Sequence, residues 1–161
     1  MVNTLLKYLL FGMVLLSACR HHDGKVPIAQ KNMSIRVDGA LNFVSSNGSV
    51  LASILIEIAD TPEAQMKGLM GRNSLDHHHG MLFVFENIKK RKFRMQNTRI
   101  PLDIIFVGKD ECILNIFENT TPLSEKIYRS SGPIKYAVEV QSNFTKSFKI
   151  NENTCIQWQR Y

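Results

Sequence analysis

The chain has 161 residues, with 20 basic and 14 acidic side chains and a formal net charge of +6 at pH 7. Its hydrophobic fraction of 44% and charged fraction of 21% are near globular averages, which excludes a disordered, collagen-like or coiled-coil chain. No apolar run reaches the ~18 residues that span a bilayer, so a multi-pass membrane protein is also excluded. The length fits a single domain.

The beginning of the sequence has the features of an export signal. Lys7 precedes an apolar run at residues 8–16, and the run ends in Leu16-Ser17-Ala18-Cys19. This box resembles the bacterial lipobox, in which the signal is cut before a cysteine whose thiol then receives diacylglycerol. We therefore predict a signal peptide at residues 1–18, lipidation of Cys19, and a membrane anchor in the cell envelope, facing away from the cytoplasm. If the cell has two membranes, the outer one is expected.

The mature chain is predicted to consist of a flexible tether at residues 19–33 and one β-rich domain at residues 34–161. We expect a monomer, and no nucleic-acid partner outside the cytoplasm. Besides Cys19, the chain contains Cys112 and Cys155. In an oxidising compartment this pair is compatible with a disulfide, and equally with two buried thiols.

The first predicted elements are a β-hairpin and a helix. Residues 41–45 and 50–59 flank Asn47-Gly48, a dipeptide typical of a type I′ turn. Thr61 and Pro62 are a capping residue and a first helical residue, and apolar side chains follow at helical spacing. They predict a helix over about 62–70, ended by Gly71.

The rest of the sequence is predicted to form short strands. Apolar or alternating segments occur at 81–85, 92–97, 102–107, 112–117, 135–140 and 155–158, with a long loop at 118–133 and a second short helix at about 143–148. Short strands at this spacing predict a mainly β fold, an antiparallel β-sandwich or partly open barrel.

Three sequence blocks are distinctive: GLMGR at 68–72, GMLFVF at 80–85 and FRMQNTRIPLDIIF at 93–106. In this order they resemble the bacterial and archaeal domain of unknown function 192 family. The resemblance implies a small, mostly β domain with one helix, often secreted or lipid-anchored, and it implies no established activity. Arg94 stands where the family usually has an aromatic residue, Gln96 where it has lysine, and Asn143 where it has glycine. A surface formed by the first two positions would therefore be altered here.

A set of polar residues in apolar surroundings is the main candidate ligand site: Arg72, Asn97, Thr98, Asp103 and Glu139. An ionised carboxylate buried among apolar residues needs a partner. One interpretation is structural, with Arg72 paired to one of the carboxylates. The other is a pocket in which arginine binds a ligand carboxylate or phosphate. Asp103 or Glu139 could also act as a general acid or base.

Two further groups suggest metal binding or surface binding. His77 and His79 are candidate zinc or copper ligands, and four methionines are either soft ligands for Cu(I) or core residues: Met66, Met70, Met81 and Met95. The basic run at residues 89–92 is predicted to be a hairpin tip. It is either a solvated turn or a patch for anionic lipid or polysaccharide.

The sequence therefore predicts a membrane-anchored, non-enzymatic binding domain that takes a small ligand or a cell-envelope component. The alternatives are a metal-handling protein that uses His77 and His79, and a hydrolase-like enzyme of the cell envelope. The sequence has no phosphate-cradling glycine loop and no nucleophile motif, and no cofactor is predicted.

Overall fold

A computed structural model describes residues 36–161. The predicted signal peptide, Cys19 and the tether lie outside the described residues. Within the described range the chain forms nine strands and two short helices in one compact unit. None of the helices in this range has the length and apolar character needed to cross a membrane.

The strands are β1 Gly39–Ser45, β2 Val50–Ala59, β3 His79–Lys89, β4 Lys92–Arg94, β5 Leu102–Val107, β6 Ile113–Phe117, β7 Ile127–Arg129, β8 Ile134–Gln141 and β9 Thr154–Arg160. The helices are α1 Pro62–Lys67 and α2 Phe144–Ser147.

Seven strands form one curled sheet in the order β6-β5-β8-β3-β2-β1-β9, which makes a half-barrel. β4 and β7 form a separate two-stranded sheet. The prediction of a mainly β, partly open barrel is confirmed. One pair departs from the antiparallel expectation: β2 and β3 are parallel, because the chain between them crosses over through α1 instead of turning back directly.

The curled sheet is apolar on both faces. Along β2, Ile54, Ile56 and Ile58 belong to a core that also contains residues of both edge strands, so this core fills the inside of the half-barrel. Side chains of the opposite face, such as Phe83 and Phe106, form a second core with Leu69, Met95 and Tyr128 from the segments that cover it. The outer face is therefore buried beneath α1, the chain that follows it, and the β4–β7 sheet.

A disulfide joins Cys112 to Cys155, 43 residues apart in sequence. These cysteines also form an isolated β-bridge, and the N–H of Ile156 donates to the carbonyl of Glu111 at 2.8 Å. Cys112 directly precedes β6, and Cys155 lies in β9. Since β6 and β9 are the two edge strands of the curled sheet, the disulfide ties its edges together at one end.

Helix α1 is shorter than the sequence predicts. Its start is as expected: the N–H of Ala64 donates to the Thr61 hydroxyl at 3.2 Å, and Pro62 is in the first turn. The helix ends at Gly68 rather than Gly71, because Gly68 takes a φ of +46° and leaves the helical conformation. The second predicted helix is present as α2 and is likewise one residue shorter at each end than predicted.

Two predicted turns also differ from the structure. In the β1–β2 hairpin only Gly48 has a positive φ, +84°, and its N–H donates to the carbonyl of Ser45. This arrangement is a type I turn followed by a left-handed glycine, not a type I′ turn. The basic run at 89–92 is not a hairpin tip, because β3 continues to Lys89 and β4 pairs with β7.

Candidate functional site

A cavity of about 470 Å³ opens on the outer face of the half-barrel. It lies between α1 with the turn that follows it, β4, and the central strands β3 and β8. A cavity of this size is suited to a small organic molecule.

One wall of the cavity is aromatic. Phe83 and Phe85 lie two residues apart on the outer face of β3, and Phe93 projects from β4 towards them. The rings of Phe83 and Phe93 are 5.1 Å apart in an edge-to-face arrangement, and those of Phe85 and Phe93 are 6.4 Å apart. Such contacts hold the rings in a fixed geometry and leave an apolar surface facing the cavity.

Four basic side chains line the same cavity: Lys67, Arg91, Lys92 and Arg94. The guanidinium of Arg91 lies 4.1 Å from the centre of the Phe85 ring and donates to the carbonyl of Asn87 at 2.9 Å. Its buried Nε has no hydrogen-bond partner among residues 36–161, and burial lowers the pKa of Arg91. Arg94 is exposed and lies 3.5 Å from the carboxylate of Glu125. The cavity therefore has a cationic lining.

Glu139 is the acidic residue of this lining, and it is only 6% exposed. Its register neighbours on the adjoining strands are Met81 and Ile104, so neither directly opposite residue offers it a polar partner. Burial raises the pKa of Glu139 to about 8, and no hydrogen bond or nearby charge among the described residues offsets this effect. At pH 7 the carboxyl group is therefore mostly protonated.

Gly68 leaves room above Glu139. A Cβ atom at Gly68 would lie 3.4 Å from the Phe83 ring and 3.9 Å from Oε2 of Glu139. The same glycine ends α1, so the residue that stops the helix also keeps the carboxyl group reachable from the cavity.

The structure divides the predicted polar set. Thr98 and Glu139 line the cavity, whereas Arg72, Asn97 and Asp103 do not. Asn97 is exposed, has a φ of +59°, and accepts the N–H of Gly71 through its carbonyl, so it shapes a turn.

Arg72 forms a buried ion pair with Glu57 on β2. Its two terminal nitrogens lie 2.6 and 2.7 Å from the two carboxylate oxygens, and both residues are less than a tenth exposed. Nη2 donates a hydrogen bond to Oε2, while Nη1 lies beside Oε1 as an ion-pair contact, so the buried charge of Glu57 is compensated. Arg72 is thus paired as the structural interpretation expected, but its partner is neither Asp103 nor Glu139; it is Glu57, which the sequence pattern did not indicate.

Asp103 is fully buried on the inner face of the half-barrel. One oxygen accepts the N–H groups of Asn119 and Asn143 at 2.8 and 3.1 Å. The other accepts the N–H and the hydroxyl of Thr145 at 2.9 and 2.7 Å. Asn143 has a φ of +66°, a left-handed conformation that asparagine adopts more readily than most residues, which is consistent with the glycine that the resemblance implies here. Asp103 thus attaches α2 to the sheet and has no oxygen left for a ligand.

The predicted metal ligands are not brought into one cluster. His77 Nδ1 lies 3.0 Å from Oε1 of Gln141, and its ring packs against Phe144 and Phe148 of the α2 region. His79 Nδ1 lies 3.5 Å from Asp76. Among residues 36–161 no group of three or more histidine, cysteine or acidic residues is arranged to hold a metal ion.

The four methionines named in the sequence analysis differ in burial. Met81 and Met95 are buried in the outer core, as the core interpretation expects. Met66 is 76% exposed, so its predicted place on a buried face of the helix is wrong, because α1 buries none of its residues. Met66 and Met70 instead line the cavity.

Sequence reasoning missed the aromatic wall, and it placed Arg91 in a surface patch rather than in the lining of a cavity. One available signal was the resemblance noted above, which implies an aromatic residue at Arg94 and lysine at Gln96, since both positions line the cavity. Arg94 and Gln96, two positions where the family resemblance implies other residues, thus lie on the same surface as Glu139.

A family model described as DUF192, "Uncharacterized ACR", matches residues 42–158. A crystal structure from Novosphingobium aromaticivorans DSM 12444, of a protein of unknown function, is 30% identical, with a TM-score of 0.71 over 82% of this chain and 89% of that one. Another, from Sinorhizobium meliloti 1021, is described as a candidate transcription regulator. It is 28% identical, with a TM-score of 0.73 over 77% of this chain and 95% of that one. No curated protein sequence matches the chain. The chain belongs to the DUF192 family.

Proposed function

We propose that this protein is a membrane-anchored, extracytoplasmic binding domain, without enzymatic activity, whose cavity takes a small organic anion with an apolar body. The observation that carries this proposal is the composition of one cavity: basic side chains and an aromatic wall face the same space. Guanidinium groups suit carboxylate and phosphate oxygens, and phenyl rings suit an apolar or aromatic body.

The membrane anchor is supported by the sequence alone, through the lipobox-like segment that ends at Cys19. The proposal predicts that the chain, expressed in a bacterium fed labelled palmitate, carries the label, and that Cys19→Ser removes it. A wild-type chain that stays unlabelled would contradict the anchor but not the binding cavity.

The cavity is tested with 3-phenylpropanoate, a carboxylate with a phenyl ring, titrated into the full chain in detergent by calorimetry. We expect saturable binding that Arg94→Gln weakens at least fivefold. The matched control is Arg99→Gln, because Arg99 is also exposed but bonds to Asn73 and lies outside the cavity lining. The proposed site would be contradicted if both variants lost affinity for 3-phenylpropanoate equally, or if neither variant lost affinity.

A second candidate function is an envelope enzyme that uses Glu139 as a general acid. The favouring observation is a protonated carboxyl group in a cleft, with a pKa raised to about 8 by burial. Asp103 is no partner for it, since its oxygens are occupied on the opposite face. Turnover of an envelope ester or amide that is lost in Glu139→Gln, with the fold retained, would replace the binding proposal.

A further inference from the structure

The geometry points to a zwitterionic occupant of the cavity: an apolar amino acid, or a short peptide with an apolar amino-terminal residue. Its ammonium group would pair with Glu139, its carboxylate with the basic side chains, and its apolar side chain with the phenylalanine wall. This inference deepens the proposed function and rests on it.

The first step concerns the carboxyl group. Glu139 is more than nine-tenths buried, lines the cavity, and has no partner among the described residues. The other buried acid of the outer face, Glu57, is held by Arg72. A buried carboxyl group without a partner is costly once ionised, so a cationic group arriving from the cavity gains both a charge pair and hydrogen bonds.

The second step concerns the charges around that carboxyl group. The charged groups that face the cavity from the elements around it are Lys67 of α1, Arg91, and Lys92 and Arg94 of β4, while β3 and β5 present no charge beside Glu139. None of these bases offsets the effect of burial on Glu139. The cavity thus offers an acid and several bases that do not neutralise one another.

The third step compares simple ligands. A carboxylate without an amine satisfies the bases and leaves Glu139 without a cation. An amine without a carboxylate satisfies Glu139 and leaves the bases without an anion. A ligand with both groups complements both parts of the cavity, and a phenyl or branched aliphatic side chain covers Phe83 and Phe93.

The inference predicts that ligand binding releases a proton, which can be measured. In the empty cavity at pH 7 Glu139 holds a proton, since burial raises its pKa to about 8. When an ammonium group pairs with the carboxylate, that proton passes to the buffer. Binding of the zwitterion therefore releases close to one proton per ligand at pH 7, whereas a simple carboxylate releases none.

The test is calorimetry of the full chain at pH 7 in two buffers with different ionisation enthalpies. The probes are L-phenylalanine, the dipeptide Phe-Gly, 3-phenylpropanoate without the amine, and 2-phenylethylamine without the carboxylate. We expect phenylalanine or Phe-Gly to bind at least tenfold more tightly than both truncated probes, with release of close to one proton. Whichever of the two binds more tightly identifies a free amino acid or a peptide as the occupant.

Variants separate recognition from folding. Glu139→Gln keeps the size and the uncharged state of the side chain, so circular dichroism should be unchanged. We expect this variant to bind phenylalanine or Phe-Gly at least tenfold more weakly than the wild type, without proton release. Its affinity for 3-phenylpropanoate should stay within twofold of the wild-type value. Glu63→Gln on the exposed start of α1 is the matched control and should change nothing.

Two outcomes overturn the inference in different ways. If 3-phenylpropanoate binds as tightly as the amino-bearing probes, without proton release and with loss in Arg94→Gln, the zwitterion is wrong while the proposed function stands. If no carboxylate-bearing probe binds in an Arg94-dependent manner, or 2-phenylethylamine binds most tightly, both are wrong.

Discussion

Asp103 and Glu139 lie one register step apart on the paired strands β5 and β8, and their side chains face opposite sides of the sheet. Asp103 accepts four hydrogen bonds from the backbone and side chain of neighbouring segments. Glu139 is nearly as buried but faces apolar neighbours and a cavity. The same chemical group therefore stabilises the fold on one face and is available to a ligand on the other.

Asp103→Asn should destabilise the protein by about 2–4 kcal/mol, because an amide nitrogen would face N–H donors that have no other acceptor. Urea unfolding monitored by circular dichroism measures this change. Thr145→Val, which removes one hydroxyl donor and leaves the carboxylate, should cost only about 1–2 kcal/mol. Binding of 3-phenylpropanoate should be unaffected in both, and a binding defect with full stability would contradict this structural role.

Glu139 should make the protein less stable as the pH rises. Its folded-state pKa of about 8 lies above its ordinary value of 4.5, so between these values the folded state holds a proton that the unfolded state has lost. The contribution of protonated Glu139 to the free energy of unfolding is fully present below about pH 4.5. It is lost as the pH rises through about 8, at roughly 1.4 kcal/mol per pH unit.

The measurement is urea unfolding at several pH values from 5 to 9 for the wild type and Glu139→Gln. The difference between the two free energies of unfolding should change over this window, since the titration of all other groups is common to both proteins. Parallel curves would show that Glu139 is ionised in the folded protein.

Arg72→Ala should destabilise the protein by about 3–5 kcal/mol, because it leaves the buried carboxylate of Glu57 without its partner. The double variant Arg72→Met with Glu57→Leu should recover most of the loss, since no buried charge remains. Thermal or urea unfolding of the single and double variants checks this expectation. If the double variant is as unstable as Arg72→Ala, the loss comes from packing rather than from the uncompensated charge.

Reduction of the Cys112–Cys155 disulfide should lower the free energy of unfolding by about 4 kcal/mol, as expected from the chain entropy of a 43-residue loop. Urea unfolding with and without a reductant measures the difference. The Cys112→Ala/Cys155→Ala variant should unfold like the reduced protein and show no response to the reductant. An unchanged unfolding midpoint on reduction of the wild type would contradict the prediction.

Local patterns predicted much of this fold. β5 has the bounds expected from its apolar run, and α1 begins at the expected capping residue. β7 was missed inside the predicted loop at 118–133, because three residues are too few for an alternation to be recognised. The parallel β2–β3 pair and the β4–β7 pair were missed as well, since they depend on contacts distant in sequence.

The site was predictable only in part, for a related reason. Buried carboxyl groups are visible in the sequence as acids within apolar runs, which singled out Asp103 and Glu139. Whether two such acids share a face depends on strand register, and a shift of one residue reverses the face. Arg91 contributes to the site because the chain between β3 and β4 passes over Phe85, which no local pattern indicates.

The placement of β9 beside β1 has a consequence for biogenesis. Within residues 36–161, β1 is the first strand and β9 the last, yet they pair along seven positions, from Gly39 with Arg160 to Ser45 with Thr154. A chain that is translocated from its amino terminus would present the free edge of β1 until the final strand had followed. Tertiary folding would then be completed after translocation. Until that point, a chaperone or a second nascent copy could bind the unpaired edge of β1.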